Sequence, residues 1–257
     1  MVCQAPADFQ RQGRTLKEIP PGSILADALD AIAYHGHGPG AAAERSAYER
    51  NRAEAAKNGL AEKPFIETES GLAAHTLPQI RIQARTAIQK IVYAQSVGLP
   101  AFFWFRLYIT GGDADYTNLK TMAEPRPAVL RYRSMVKTLR GLSFAKRLDL
   151  AGFDGEGYFF TQKQGDSRAL ALWANARSGG SRTFQLAGQS RAVSDCRLVD
   201  MFGNVTPLKG AESGLATVPI EQDPVFVAWR TADTAFTANV LPSPLEVETP
   251  PASVTRP

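Results

Sequence analysis

Between Asp30 and Gly141 the sequence alternates short apolar runs with longer segments of helical periodicity. This alternation is typical of strand–helix–strand units, in which parallel strands are covered by the helices that connect them. The apolar runs are residues 30–37, 64–69 and 101–105, and the helical segments are residues 41–58, 78–96 and 127–140. The region therefore predicts three parallel strands, each followed by a helix.

The sequence changes character near Phe144. From there to Arg230 the apolar runs are short, rich in aromatic and β-branched residues, and separated by turn-forming residues. This pattern predicts an antiparallel β-sandwich. The remaining residues are dense in Pro, Thr and Val without periodicity, which predicts a flexible tail. The predicted boundaries are residues 1–142 for the parallel part, 143–232 for the sandwich and 233–257 for the tail.

Composition excludes several classes of partner. The chain has 257 residues and a net charge of +4, but its Lys and Arg residues are scattered among acidic ones, so no nucleic-acid partner is predicted. No run reaches the roughly 18 apolar residues of a membrane helix, and the first residues do not resemble a signal peptide. Cys3, in a terminus expected to be mobile, and Cys196 are too few for a disulfide framework or a cysteine-based metal site.

Polar and aromatic side chains follow the three predicted strands where each strand ends. They are His35 and His37, then Glu69, then Trp104 and Arg106. In a parallel α/β barrel the catalytic groups lie at these carboxyl ends, where the loops open around a shared bowl. A carboxylate can attack an anomeric carbon, an imidazole can orient it, and an indole can stack on a sugar. The residue types therefore indicate a sugar-cleaving site.

Several segments resemble the glycoside hydrolases of clan A. Residues 63–71, Lys-Pro-Phe-Ile-Glu-Thr-Glu-Ser-Gly, are similar to the strand-7 motif of that clan. Residues 30–37 with their His-Gly-His resemble strand 6, and residues 102–106 resemble strand 8. Residues 126–132, 199–204 and 224–227 resemble the start of the last barrel helix and two segments of the attached β-domain. The closest shape is that of the β-xylosidase-like enzymes of family 39 or related bacterial members.

The resemblance implies a fold of the α/β plus all-β class, with a partial (β/α)8 barrel followed by an antiparallel β-sandwich. It implies that Glu69 is the nucleophile of a retaining glycosidase, that His35 or His37 contacts it, and that Trp104 forms the floor of the sugar subsite. We expect Arg106 to bind substrate as well. The implied substrate is an oligosaccharide or glycoside, no cofactor is expected, and the implied parent enzyme is secreted or periplasmic.

Two departures from the clan pattern qualify this expectation. A complete barrel takes about 250 residues, whereas only residues 1–142 precede the predicted sandwich. The clan places its acid/base Glu after an Asn on strand 4, and the sequence contains no Asn-Glu dipeptide. We therefore expect a part of a longer enzyme that is inactive or nearly so alone, since general acid catalysis contributes about 10²- to 10⁴-fold. The alternatives are a non-catalytic carbohydrate-binding or scaffold module and a split enzyme completed by a separate N-terminal half.

Each candidate residue also has a purely structural interpretation. Glu67 and Glu69 share strand parity, so both are expected on one face about 6–7 Å apart. Glu67 is disfavoured as a second catalytic carboxylate, because a general acid must lie across the glycosidic bond. His35 and His37 are also expected on one face, but no third ligand appears at plausible spacing, so no metal site is predicted. Trp104 would suit core packing, although its place at a strand end favours sugar stacking.

Overall fold

A computed structural model of the protein describes residues 2–4, 21–105, 127–150, 152–175, 179–186, 193–208, 211–231 and 238–241. The first part of the chain forms a four-stranded parallel sheet in the order β1-β2-β3-β4. Its strands are β1 (Val2–Gln4), β2 (Ala31–His35), β3 (Phe65–Ser70) and β4 (Phe102–Trp104). The three predicted strands and their parallel pairing are confirmed. The prediction of a mobile terminus is wrong for β1, because three residues are too few to show a period.

Four helices of the described residues accompany this sheet: α1 (Ile24–Asp27), α2 (Gly40–Lys57), α3 (Leu77–Ser96) and α4 (Pro127–Leu139). The last three lie within two residues of the predicted helical segments. Gly59 follows α2 with φ of 71°, and Gly141 follows α4 with φ of 76°. Both glycines end their helices in the left-handed conformation that L side chains rarely adopt. In the described part of the chain, no helix is long and apolar enough to cross a membrane.

The second part of the chain forms antiparallel sheets, as predicted. A six-stranded sheet has the order β10-β9-β12-β7-β6-β5, and a three-stranded sheet has the order β11-β8-β13. The strands are β5 (Ser143–Leu148), β6 (Gly155–Thr161), β7 (Ser167–Ala174), β8 (Gly180–Gln185), β9 (Val193–Asp200), β10 (Val205–Pro207), β11 (Leu215–Ile220), β12 (Val225–Thr231) and β13 (Asn239–Val240).

β13 corrects the prediction of a tail from residue 233. Asn239 and Val240 pair with Gln185 and Phe184 of β8, and Ala238 beside them is fully buried. A two-residue strand carries no detectable period, so its pairing depends on the edge that β8 offers rather than on a local pattern. Residues 242–257 of the predicted tail lie outside the described part.

The apolar core lies on both faces of the six-stranded sheet. On one face, Phe159, Leu170 and Trp229 share a cluster with residues of the three-stranded sheet such as Phe184. On the other face, side chains of β6, β7 and β12 share a second cluster with Ile88 and other residues of α2, α3 and α4. This double burial explains why the central strands are apolar along nearly their whole length.

The helices α2 and α3 also pack on one face of the parallel sheet. Tyr34 and Phe65 from the sheet share a third cluster with Ala47 and Ala55 of α2. The helices thus separate the parallel sheet from the six-stranded sheet. The face of the parallel sheet that points away from the helices is the one on which the candidate site lies.

Candidate active site

The carboxylate of Glu69 lies between two imidazoles at the carboxyl end of β2, His35 in the strand and His37 after it. Its Oε2 is 3.9 Å from His35 Nδ1, and its Oε1 is 3.4 Å from His37 Nε2. The side chains of His35, His37 and Glu69 are 10%, 44% and 31% exposed. The structure therefore brings together three of the five predicted site residues, because the carboxyl ends of neighbouring parallel strands meet at one edge of a sheet.

A β-bulge in β3 determines which way Glu69 points. Tyr34 pairs with Glu67, but the next residue of β2, His35, pairs with Glu69, so Thr68 is an extra residue on β3. A bulge interrupts the two-residue alternation of a strand and re-aims the following side chain. Glu67 accordingly lies on the helix side with Tyr34, while Glu69 lies on the opposite face with His35. The prediction that Glu67 and Glu69 share a face is wrong.

Glu67 connects the two strand ends from behind. Its Oε1 accepts hydrogen bonds from the backbone N–H groups of Gly36, at 3.1 Å, and of Glu69, at 3.2 Å. Gly36 separates His35 from His37 in sequence, so one carboxyl oxygen holds the backbone on both sides of the site. Fully buried, Glu67 cannot reach a sugar bound at Glu69.

The charge state of Glu67 follows from its surroundings. Burial, and then the nearby carboxylate of Glu44, raise the pKa of Glu67 from its ordinary 4.5 to about 10. Its Oε2 is buried and has no hydrogen-bond donor among the described residues. A proton on Glu67 removes the buried charge and provides a hydrogen bond to the Glu44 carboxylate. Glu67 is therefore a neutral carboxylic acid at neutral pH.

A buried polar network surrounds this acid in the helix layer. Tyr34 Oη donates to Glu44 Oε1 at 2.7 Å, and Lys90 Nζ lies 3.6 Å from Glu44 Oε2. Lys90 also donates to Ser70 Oγ at 2.9 Å and to the carbonyl oxygen of Gly36. Burial lowers the pKa of Lys90, whereas the carboxylate of Glu44 opposes that shift. The amino group of Lys90 therefore lies beside the carboxyl group of Glu44 at the centre of this network.

Sequence reasoning missed Glu44 and Lys90. A signal for Glu44 exists, because it occupies the buried stripe of α2 between Ala41 and Ala47 at helical spacing. A charged residue in a stripe otherwise formed by alanines and one asparagine indicates a buried partner. Lys90 carries a similar signal, since it follows Ile88 on the buried side of α3. Neither signal reveals that the two side chains meet.

Trp104 does not face Glu69. It pairs with Ser70, whose hydroxyl lies in the helix layer, and its ring packs against Ala84 of α3 and Ala128 of α4. The expected sugar-stacking position is therefore corrected: Trp104 contributes to packing between β4 and the helices. The prediction failed because the bulge in β3 turns Glu69 to the face opposite Ser70 and Trp104, and that bulge is invisible in the sequence of β4.

Phe103 is the aromatic residue that β4 presents on the other side. It precedes Trp104 and is 56% exposed, so alternation along the strand places its ring on the face of Glu69. Sequence reasoning did not single it out, although an apolar ring exposed beside polar strand ends is the expected sign of a stacking surface. Arg106, the remaining predicted residue, lies outside the described residues.

The same three side chains offer ligand atoms for a metal ion. The ligand atoms of His35, His37 and Glu69 all lie within 4.8 Å of one another. The sequence argument against a metal site was the absence of a third ligand near the His-x-His pair. A third donor atom does lie near this pair, because Glu69 comes from the neighbouring strand and not from nearby in the sequence.

Comparison of the sequence with protein families and with curated proteins finds no match. The fold is similar to a GH30 endoxylanase from Clostridium papyrosolvens C71, with a TM-score of 0.51 and 15% identity over 89% of this chain and 56% of that one. It is also similar to a glucosidase from Croceicoccus marinus, with a TM-score of 0.54 and 12% identity over 89% and 59%. A third similar structure is a 4-O-α-L-rhamnosyl-β-D-glucuronidase from Fusarium oxysporum 12S, with a TM-score of 0.50 and 13% identity over 80% and 54%.

These likenesses define the class of fold. The described part of the chain has a glycosidase-like fold, which confirms at that level the resemblance drawn from the sequence motifs. The chain spans less than two thirds of the length of each of these structures. Because the sequence identity is this low, the similarity shows the fold alone and does not show an activity or a substrate.

Proposed function

We propose that this chain supplies the nucleophile, Glu69, of a retaining glycoside hydrolase. The observation that carries the proposal is the position of the Glu69 carboxylate: it is partly exposed at the carboxyl end of a parallel strand and flanked by His35 and His37. The glycosidase-like fold supports it. A surface carboxylate with no function would not be expected to lie beside two imidazoles from the end of the neighbouring strand.

In the proposed reaction a carboxylate oxygen of Glu69 bonds to the anomeric carbon while the bond to the leaving oxygen breaks. The electron pair leaves with the aglycone, which takes a proton from an acid. Water then bonds to the same carbon, the ester to Glu69 breaks, and the water's proton goes to the conjugate base. His35 and His37 orient the carboxylate, and Phe103 offers an apolar surface to the sugar ring.

The acid/base is expected outside the residues that the structure describes. In retaining enzymes it faces the nucleophile at about 5–5.5 Å across the sugar, and Glu67 lies behind the sheet instead. We propose that further strands beside β1 and β4, the two edges of the parallel sheet, complete a (β/α)8 barrel and carry this acid. Accordingly we expect little turnover from these 257 residues alone, in line with the missing Asn-Glu dipeptide.

A mechanism-based label tests Glu69 without requiring that acid. Dinitrophenyl 2-deoxy-2-fluoroglycosides carry a leaving group that departs unprotonated, and the fluorine slows breakdown of the covalent intermediate. The full chain should gain one sugar mass from a panel of xylosides and glucosides, on the peptide that contains Glu69. Glu69→Gln should abolish labelling, whereas the matched variant Glu67→Gln should retain it.

Two results would contradict the proposal. Labelling of another carboxylate, with Glu69→Gln as reactive as the wild type, would move the nucleophile elsewhere. Sugar binding that Glu69→Gln leaves unchanged, together with no labelling of a longer chain that completes the barrel, would favour the non-catalytic carbohydrate-binding module.

A further inference from the structure

We propose that His35, His37 and Glu69 also form a binding site for a divalent transition-metal ion such as zinc, and that the ion and a sugar compete for Glu69. The competition rests on the proposed function, whereas the metal site itself rests only on the three side chains. Two imidazole nitrogens and one carboxylate are a ligand set that zinc accepts, with the fourth position open to water.

The distances fit such a site. Zinc bond lengths of about 2.0–2.2 Å in tetrahedral geometry separate neighbouring ligand atoms by about 3.3 Å. His37 Nε2 and Glu69 Oε1 are already 3.4 Å apart, and His35 Nδ1 is 3.9 Å from Glu69 Oε2. All the ligand atoms lie within 4.8 Å of one another, so side-chain movements of up to about 1.5 Å bring the set together, which rotamer adjustment allows.

The backbone that carries the ligands is held in place before any ion binds. Glu67 accepts hydrogen bonds from the N–H groups of Gly36 and Glu69, so the ends of β2 and β3 are tied to one buried oxygen. Groups that orient the ligands in this way raise metal affinity, because less order is lost on binding. The exposure of His37 leaves a path for the ion to enter.

The donor atoms also select the class of ion. Imidazole nitrogen suits zinc, copper, nickel and cobalt, whereas calcium and magnesium prefer sites built from oxygen alone. A bound ion would hold the Glu69 carboxylate that the glycosidase needs, so it would act as an inhibitor and not as a cofactor. The catalytic proposal therefore concerns the metal-free site, and the metal proposal concerns the same site with Glu69 occupied by the ion.

The test is a titration of the full chain, freed of any histidine tag, with cobalt(II) followed by visible absorption and with zinc followed by calorimetry. We expect one ion per chain and a tetrahedral cobalt spectrum. His37→Ala and Glu69→Gln should each weaken zinc binding at least about 10-fold, and magnesium should not compete. His75→Ala, which removes an exposed histidine outside the site, is the matched control and should bind like the wild type.

A Cys3→Ser, Cys196→Ser double variant separates this site from adventitious thiol binding. Loss of zinc binding in that variant would overturn the metal site, and so would equal zinc affinity in the wild type, His37→Ala and Glu69→Gln.

The metal proposal and the catalytic proposal can fail independently of each other. Labelling of Glu69 without zinc binding rejects only the metal site, and zinc binding without labelling in a completed barrel rejects only the nucleophile. If both hold, saturating zinc should suppress labelling.

Discussion

At the scale of residues, Glu67 and Glu69 lie close together on one strand but in two different environments, one buried and one partly exposed to solvent. Glu67 is fully buried among the helices, while Glu69 is partly open to solvent between two imidazoles. Burial disfavours the charged form of a carboxyl group, so the buried residue keeps its proton. The neutral acid then serves as a structural hydrogen-bonding group behind the site and the exposed carboxylate remains available for chemistry.

The protonation of Glu67 predicts a pH dependence of stability. Because its folded pKa of about 10 lies above the ordinary 4.5, the stability it contributes is fully present below 4.5 and is lost as the pH rises towards 10. Glu67→Gln keeps the acceptor for both backbone N–H groups but cannot ionise. Urea unfolding of both proteins from about pH 5 to about pH 9 should show the variant gaining stability relative to the wild type as the pH rises.

Glu67→Ala provides the contrast to the glutamine variant. It leaves the N–H groups of Gly36 and Glu69 without their acceptor and creates a cavity, so we expect a loss of about 2–4 kcal/mol even at low pH. A stability difference between Glu67→Gln and the wild type that stays constant with pH would show that Glu67 is ionised in the folded protein.

At the scale of elements, the connection from β2 to α2 is as constrained as the bulge in β3. A Cβ on Gly36 would meet the carboxylate of Glu44, so a larger residue here would have to displace that buried side chain. The bulge and this connection together bring a helix residue, Glu44, against the back of the strand ends. The site is therefore supported by helix packing as well as by the sheet.

A buried ion pair joins α2 to the six-stranded sheet. The guanidinium of Arg45 contacts the carboxylate of Glu156 on β6, which also contacts the hydroxyl of Tyr158 and lies 3.4 Å from Arg147 Nη2. Glu156 is almost fully buried. Burial lowers the pKa of Arg45, but the carboxylate of Glu156 and the hydroxyl group of Tyr158 outweigh that effect and raise the pKa. This contact connects the parallel part of the chain to the antiparallel part.

A double-mutant cycle measures that connection. Arg45→Met should destabilise the protein by about 2 kcal/mol, less than the 3–5 kcal/mol typical of a stranded buried charge, because Tyr158 and Arg147 still contact Glu156. Combining it with Glu156→Gln should reveal a coupling energy of about 1–3 kcal/mol in urea unfolding. Additive effects within about 0.3 kcal/mol would mean that α2 and β6 are not coupled through this pair.

At the scale of the whole molecule, the two predicted units share an apolar core. Ile88 and Val92 of α3 and Met135 of α4 lie in one cluster with Trp173 of β7 and Phe226 of β12. The predicted boundary after residue 142 remains a prediction of chain organisation. An apolar interface of this kind makes independent unfolding of the two parts unfavourable, because each would expose the cluster to water.

This shared core predicts one cooperative unfolding transition. Trp104 lies beside α3 and α4, Trp173 in the shared cluster, and Trp229 between the antiparallel sheets, so tryptophan fluorescence reports on all three layers. Its urea midpoint should coincide with that of far-ultraviolet circular dichroism. Ile88→Ala should lower the free energy of unfolding by about 2–5 kcal/mol, and it should shift both urea midpoints downward by the same amount. Two separated transitions would instead identify independent units.

The sequence by itself determined the elements and the meeting of the strand ends. Apolar runs and helical periodicity reflect local burial, so β2, β3 and β4 of the parallel sheet and the helices α2, α3 and α4 were predictable to within a few residues. The meeting of His35, His37 and Glu69 was predictable as well, because parallel strands place their carboxyl ends at one edge of a sheet whatever their exact register.

Only the tertiary structure decided which face each side chain occupies beyond the bulge. The direction of Glu69 relative to Glu67, and so relative to Trp104, depends on hydrogen bonds between strands, because the extra residue Thr68 reverses the alternation along β3. The partnership of Glu44 with Lys90 depends on two helices packing over one sheet. Periodicity is a property of a single segment, whereas register and buried charge pairing are properties of segments in contact, and so they appear only in the folded chain.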